Sequence, residues 1–493
     1  MVVMVYEIIG SRLLSPYIGG SIYIWTSLIG VILGSLSLGY WFGGRMADTR
    51  SEVRILASII FAAAGAISVT TLIKDIFLSM LAATAMLLEV KALIAALILF
   101  APASVLLGMV TPYAAKLKMH SLDATGRTVG NLYALSTVGS IVGTFAAGFF
   151  LVPFVGSVRT LYLISAILFA VSIILWPLRF SQLNIAGFLV FVLGVSTSEY
   201  TREFEYRSTE LIDIDTEYSR VQVARSVDPL TNKPIRMYAT DPYFAQSAMF
   251  FDSDDLVFQY ARFFDLIGHF NPHLNNTLLI GSGAFNYPKH YLAKFPAAKM
   301  DVVEIDPKAE EIAKFYFRWT ENDRVKVIAK DGREFLNTSE PQRYDAVLLD
   351  AFGSLFSVPY QLATLEAVQR MHDVLKRDGV VIANLGTAIT GEGGQFLAAE
   401  VATYRQVFPQ VVLFKVRADK CDTDVQNVIL VALRSQTLAE LTSDEPETDA
   451  LLKHIVTGTI TSEEPILTDD LAPIEYYNSI AQRRFLTLYH SMH

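Results

Sequence analysis

Cysteine is almost missing from this 493-residue chain: Cys421 stands alone, so no disulfide can form within it, which fits a reducing compartment for the polar part. Clustered cations are lacking too. The formal net charge is −9, and phosphate-backbone binding needs concentrated Lys and Arg, so the balance argues against nucleic acid as a main partner and suits a small cationic substrate better. Charge of either sign is scarce over residues 1–200, whereas 201–493 carry most of it and alternate like a globular protein. A full G-x-G-x-x-G phosphate loop is also absent. What is abundant is hydrocarbon: 52% of residues are hydrophobic and the mean hydropathy is +0.38, a value that predicts a membrane portion.

The apolar runs at 22–42, 55–73, 92–112, 130–153 and 158–177 each approach the ~20 residues that cross a bilayer. Shorter runs lie at 76–88 and 183–197, and residues 1–9 read as the tail of a helix. Six to eight membrane helices are expected over residues 1–200. No cleavable signal peptide is evident, since no basic stretch precedes the apolar start. Small residues at helical spacing in GSIVGTFAAGF (139–149) predict close helix packing in lipid. The clear spans contain almost no charge, which weighs against a transport pathway. The basic loops 43–54 and 114–127 are both expected on the cytoplasmic side. Counting onward puts the polar half outside if 183–197 crosses, and inside if 76–88 crosses as well. The chemistry below favours the cytosol.

From residue 274 short apolar runs alternate with helical segments: TLLIGSG, KHYLAKF, KMDVVEID, KAEEIAKFYF, RVKVIAKD, YDAVLLDAF, TLEAVQRMHDVLK, GVVIANL. This alternation predicts an α/β, doubly wound, Rossmann-like domain with a parallel sheet, extended by two strand candidates in 410–433. Ligands of such folds bind beyond the carboxyl ends of the strands. Four features fall there: the Gly281-Ser282-Gly283 turn, Glu304, Asp331-Gly332 and Asp350. Glu304 follows Gly283 by 21 residues, the spacing at which an acidic side chain accepts ribose hydroxyls. Singly, each has a plainer explanation: a tight turn, a surface carboxylate, a turn before glycine, a helix cap. Together they predict an adenosine site. Ala284, Phe285, Asn286 and Tyr287 after the turn are bulky where a pyrophosphate needs room, so a phosphate-free adenosyl sulfonium is the better fit.

Over most of 210–395 the chain resembles the spermidine synthases (polyamine aminopropyltransferases), in particular versions fused to a multi-span membrane domain. VVEIDP (302–307) resembles the family's ribose-binding strand end, DGREFL (331–336) its adenine-side Asp-Gly motif, and LLDAF (348–352) the strand end with the catalytic aspartate. TEYSRVQV (216–223) resembles the amino-terminal β-hairpin, and TDPYFAQSAMFFDSDDLVFQY (240–260) the entry to the first catalytic helix. The segments 6–27 and 131–153 resemble the fused membrane domains.

The resemblance implies a methyltransferase-like Rossmann fold with a small amino-terminal β-hairpin region. It also implies aminopropyl transfer from decarboxylated S-adenosylmethionine to an amine such as putrescine, leaving methylthioadenosine, without a metal. Asp350 would be the proton acceptor. Gly281, Ser282, Gly283, Glu304, Asp331, Gly332, Gln246 and Pro359 would hold the donor, and Tyr260 and Tyr360 the amine. Departures from the pattern are Ala284 and Gly353 at acidic positions, Ala261-Arg262 at a His-Glu pair, and Ser219 at the hairpin glutamine. The adenosyl half is kept and the polyamine half depleted. Loss of the carboxylate at Ala284 leaves open intact S-adenosylmethionine as donor for a transfer to another substrate, and a non-catalytic adenosyl-binding transporter or sensor is a third reading. The expected organisation is a membrane domain at 1–200, a hairpin and entry helix at 201–270, a catalytic domain at 271–440 and an extension at 441–493. It sits in the cell (inner) membrane with the polar half cytosolic, and the family commonly forms homodimers.

Overall fold

The computed structural model describes residues 1–19, 21–84, 86–119, 125–176, 187–189, 191–194, 210–240, 245–351, 358–458, 460 and 464–492. Contacts divide the chain into two units: Met1–Ser208 with Asp213–Arg220, and Thr209–Ile212 with Val221–His493.

The first unit is helical: α1 (Val2–Ile18), α2 (Ile22–Thr49), α3 (Val53–Ala82), α4 (Leu88–Leu99), α5 (Ala101–Lys118), α6 (Thr125–Ala146, running on as a π-helical stretch, Ala147–Val155) and α7 (Ser157–Leu175). Among the described residues four helical stretches are long and apolar enough to cross a bilayer (α2, α3, Val129–Val155 and α7). The pair α4 and α5, bent by 52°, makes a fifth if it is one broken span. Pro102, early in α5, cannot donate a backbone hydrogen bond at the break. Beside the break the carbonyl of Leu99 accepts the hydroxyls of Tyr6 at 2.8 Å and Thr70 at 2.7 Å, so that carbonyl is satisfied inside the protein.

Residues 76–82 complete α3, so the run 76–88 is no span of its own. The Lys74-Asp75 pair interrupts the hydropathy but, with neither proline nor glycine nearby, not the helix. The run 183–197 and the loop 114–127 lie partly outside the described residues. Just beyond the clear spans, buried Lys74 lies 2.5 Å from Asp75, which accepts the Tyr17 hydroxyl at 2.7 Å. Buried Lys91 donates to the Ala82 carbonyl at 2.8 Å. Helices α2 and α5 approach closely at glycines. A Cβ on Gly39 would stand 2.2 Å from the Val105 carbonyl oxygen. Within 139–149, a Cβ on Gly143 would meet Met1, while one on Gly148 would point into open space. Ser219 sits in a turn with Thr216, in the segment that counts with this unit.

In the second unit β1 (Arg220–Val227), β2 (Pro234–Ala239) and β3 (Ala245–Phe250) pair antiparallel, with Ser226 opposite Ile235 and Ile235 opposite Phe250. The main sheet has seven strands: β4 (Asn276–Ile280), β5 (Lys299–Glu304), β6 (Val325–Ala329), β7 (Tyr344–Leu349), β8 (Leu375–Thr387), β9 (Gln410–Lys415) and β10 (Gln426–Leu433). Their order is β9-β10-β8-β7-β4-β5-β6. Strands β4 to β8 run parallel, and β10 is antiparallel to both β8 and β9. This is the α/β sheet expected of a methyltransferase-like Rossmann domain.

Both faces of the sheet are covered. Leu278, Ile280, Val347 and Leu349 enter one apolar cluster, and Leu279, Ala346 and Leu348 the other. Strands buried on both sides therefore read as continuous apolar runs. Chain order reverses between β4 and β7, which makes that junction the switch point where such sheets open a crevice.

Candidate active site

The first turn beyond β4 needs glycine for two reasons. Gly281 has φ +81° and Gly283 φ +52°, both in the left-handed region. A Cβ on Gly281 would also lie 2.8 Å from the carbonyl oxygen of Asp350, and one on Gly283 3.2 Å from the Cβ of Ser247 in β3. Backbone bonds hold the turn in place: Gly281 N–H donates to Val303 at 2.9 Å, and Asp350 N–H to Ile280 at 2.9 Å. The turn is thus clamped between β5 and β7.

Phe285, at φ +59°, and Tyr287 are buried in the core, Phe285 against Trp319 with ring centroids 5.1 Å apart. The bulk after the turn therefore belongs to the core. Asn286 opens the following helix, Asn286–Lys294, and ties it to β3 through the Ser247 hydroxyl at 2.7 Å and the Ala248 carbonyl at 3.0 Å. Ala284 is fully buried.

Glu304 ends β5. Its Oε2 accepts the Ser282 N–H at 3.0 Å and the Ser282 hydroxyl at 3.3 Å, and its Oε1 accepts the Asp306 N–H at 3.3 Å. Burial pushes its carboxyl above the usual range, while the Ser282 and Asp306 N–H groups pull it back. Asp331, after β6, caps the helix Gly332–Thr338 by accepting the Glu334 N–H at 3.0 Å. Gly332 packs against Ile280, where a Cβ would stand 2.6 Å from its Cγ2. The Asp-Gly pair thereby sits beside the end of β4.

Asp350 ends β7 at the switch point. Its Oδ2 accepts the Tyr260 hydroxyl at 3.1 Å and its Oδ1 accepts the Asn384 Nδ2 at 3.0 Å. Burial pushes its carboxyl from the ordinary 3.8 up to about 7, against the two donors, with a smaller upward push from the charge of Glu304. Tyr260 stacks edge-on against Phe264, and its hydroxyl also stands 3.3 Å from the Gln246 carbonyl. The Gln246 side chain accepts the Thr240 N–H at 2.6 Å.

Gly281, Ser282, Gly283, Glu304, Asp350, Tyr260 and Gln246 thus form one connected group, with Asp331 and Gly332 at its edge. Pro359 and Tyr360 begin a short 3-10 turn beside Leu362, and Tyr360 is 51% exposed. Among the described residues no hydrogen bond ties Tyr360 to Asp350. Gly353 lies outside the described residues. Asn384 was not anticipated. Its signal was a single amide inside the apolar run GVVIANLG, and it is 1% exposed. Among the described residues no group of three or more His, Cys, Asp and Glu is arranged to hold a metal.

Residues 263–416 match the family model described as the spermine/spermidine synthase domain. Among curated proteins the chain is similar to a polyamine aminopropyltransferase of Vibrio vulnificus, 30% identical over 173 residues that make up 35% of this chain and 56% of that protein. It is also similar to an N-terminal histidine N-methyltransferase of Emericella nidulans, 29% identical over 167 residues, 33% of this chain and 28% of that one. The chain thus spans about half of the first relative and under a third of the second. Among solved structures, a probable spermidine synthase from Corynebacterium glutamicum aligns at 18% identity and a TM-score of 0.41, over 53% of this chain and 92% of that one. The match over 263–416 runs through the Gly281 turn, Glu304 and Asp350, so the part of the carboxyl-terminal unit that carries them is similar to the spermine/spermidine synthase domain.

Proposed function

We propose that the second unit transfers an aminopropyl group from decarboxylated S-adenosylmethionine to an amine of the putrescine type. The observation that carries this reading is Asp350. A half-buried carboxylate stands between two donors at the switch point, against the glycine turn, with its pKa pushed up to about 7.

The acceptor amine arrives as an ammonium with a pKa near ~10 and must lose a proton before it attacks. An ordinary aspartate is about six units too acidic to take that proton readily; at about 7 the gap falls to about three. The freed nitrogen forms a bond to the propyl carbon beside the sulfonium. The carbon–sulfur pair leaves with sulfur as neutral methylthioadenosine, and the proton stays on Asp350. The ionised carboxylate also attracts the cationic acceptor, and burial strengthens that attraction. Glu304, with Ser282 behind it, would accept the ribose hydroxyls; Asp331 and Gly332 would face the adenine; Gln246 and Pro359 would line the donor, and Tyr260 and Tyr360 the amine.

The membrane helices would anchor this unit, which we place on the cytosolic side because adenosyl donors are made there. A homodimer would follow the family's habit.

One observation favours a second reading, methyl transfer from intact S-adenosylmethionine. The chain carries Ala284, fully buried and uncharged, where the family has an acidic residue, so nothing there would repel the donor's carboxylate. The experiment is to incubate the full-length protein in detergent with each donor and a panel of amines. Methylthioadenosine released only from the decarboxylated donor supports aminopropyl transfer. S-adenosylhomocysteine from the intact donor would replace it with methyl transfer, and release of neither would leave adenosyl binding without turnover.

A further inference from the structure

Strand register sets a second polar layer beneath Asp350. Leu349 pairs with Ala383, which brings Asn384 level with Asp350 on the neighbouring strand. On the other side Asn384 faces Ile429, and Asn427, two residues back along β10, shares that face. The residue opposite Asn427 is Gly386, which has no side chain to fill the space between the amides. Asn427 Nδ2 accordingly donates to Asn384 Oδ1 at 2.9 Å, and Asn384 Nδ2 donates to Asp350 Oδ1 at 3.0 Å.

The polarity of this chain follows from chemistry. An ionised carboxylate only accepts, so the atom of Asn384 that faces it must be its NH2 group. The Asn384 oxygen is then turned to Asn427, which must present its own NH2 group. A proton on Asp350 Oδ1 would demand the reverse order, with both amides turned over in a buried strand pair. The Tyr260 hydroxyl is not committed in this way, because the Gln246 carbonyl offers it a second acceptor at 3.3 Å.

We infer that Asn384 and Asn427 are positioning residues: relayed through the Asn384 amide, they orient the Asp350 carboxylate and hold it in the ionised form that receives the substrate's proton. The inference rests on the reading of Asp350 as proton acceptor. The other titratable groups that face this carboxylate among the described residues are Tyr260, which donates to it, and Glu304, whose charge opposes its ionisation. Burial alone therefore works against the working form, and the amide relay is the counterweight that has no alternative partner among the described residues.

The test uses the full chain in detergent and reads Asp350 directly, without substrate. Difference infrared spectra against an Asp350→Asn reference follow the carboxylate stretch across pH. Asn427→Ala leaves the Asn384 amide free to turn and is expected to raise the midpoint by about half a unit, and Asn384→Leu by about one unit. The acid limb of the transfer rate against pH should move by the same amounts. Because Asn384 is in the core, Asn384→Leu can fail to fold. Asn427, half-exposed in β10, is then the deciding variant. A midpoint left at the wild-type value in folded Asn427→Ala overturns the relay. Absence of any transfer by the wild type would instead remove the functional reading, and the infrared midpoints would still decide the relay.

Discussion

Gly281 and Asp350 end neighbouring parallel strands so close together that a methyl group on the glycine would lie 2.8 Å from the aspartate's carbonyl oxygen. The glycine turn and the proposed proton acceptor are therefore one mechanical unit. Gly281→Ala carries two penalties, a side chain at φ +81° and a collision with backbone that cannot swing away. A strained residue of this kind costs about 1–3 kcal/mol. The expected result is a lower melting temperature, with a loss of transfer larger than the loss of folded protein explains. Assaying activity per folded molecule, by melting curve and turnover on one sample, checks it.

Removing the proton acceptor should separate chemistry from binding. Asp350→Asn keeps the shape and can still meet Tyr260 and Asn384, but it cannot take a proton. Turnover is expected to fall about a hundred- to ten-thousand-fold, the range supplied by general base catalysis. Donor affinity measured by calorimetry should change little. An Asn variant that transfers at the wild-type rate would take the general-base role from Asp350.

The pH dependence has a definite sign. On the proposed reading Asp350 works ionised, and its pKa is pushed up to about 7, so kcat/KM should climb about tenfold per pH unit below that value and level off above it. Tyr260→Phe withdraws a donor that favours the ionised form, so its limb should move to higher pH. A rate flat from pH 5.5 to 8.5 would contradict both expectations.

Glu304 is expected to act on the donor. Glu304→Gln places an NH2 group or an uncharged oxygen where Ser282 and Asp306 now donate to a carboxylate. Hydrogen bonds to a charged group are worth about 1.5–3 kcal/mol, so adenosyl ligands should bind about 10- to 100-fold more weakly. Competition with methylthioadenosine reads this directly.

Outside the site, Glu400 is fully buried and neither of its carboxyl oxygens has a hydrogen-bond partner among the described residues. Burial raises its pKa well above the ordinary 4.5. The folded chain keeps the proton while the unfolded chain loses it. This group's contribution to stability is therefore complete below about pH 4.5 and shrinks by about 1.4 kcal/mol per unit as pH rises toward the folded value. Glu400→Leu should melt higher than the wild type at pH 8 and show a flatter stability curve between pH 5 and 8. Parallel curves for the two proteins would mean that Glu400 is relieved by some other contact.

Most of the second unit was legible in the chain. Runs such as LLI, VVE and AVLLD are uniformly apolar because their strands are covered on both faces, and the Gly-Ser-Gly, Glu304, Asp331 and Asp350 features close those runs at a fixed chemical position. The helices were less so. Hydropathy stopped at Lys74 because a window average registers charge, whereas the helix continued to Ala82 because its backbone bonds do not depend on side-chain polarity. The bulk of Phe285 and Tyr287 was read as facing a ligand, but a left-handed residue at the helix start turns both into the core.

The amino-acid order by itself determined the apolar first part, the strand-and-helix alternation of the second, and which side chains close each strand, since all three are local properties of pattern and period. Only the tertiary structure decided who meets whom. Sheet order put β7 beside β4 and β8, so that Asp350 meets Gly281, Asn384 and Tyr260, and register put Asn427 behind Asn384. Such partners are 34 to 90 residues apart in the chain. Contacts at that separation are fixed by strand pairing and burial, which no local stretch of sequence records.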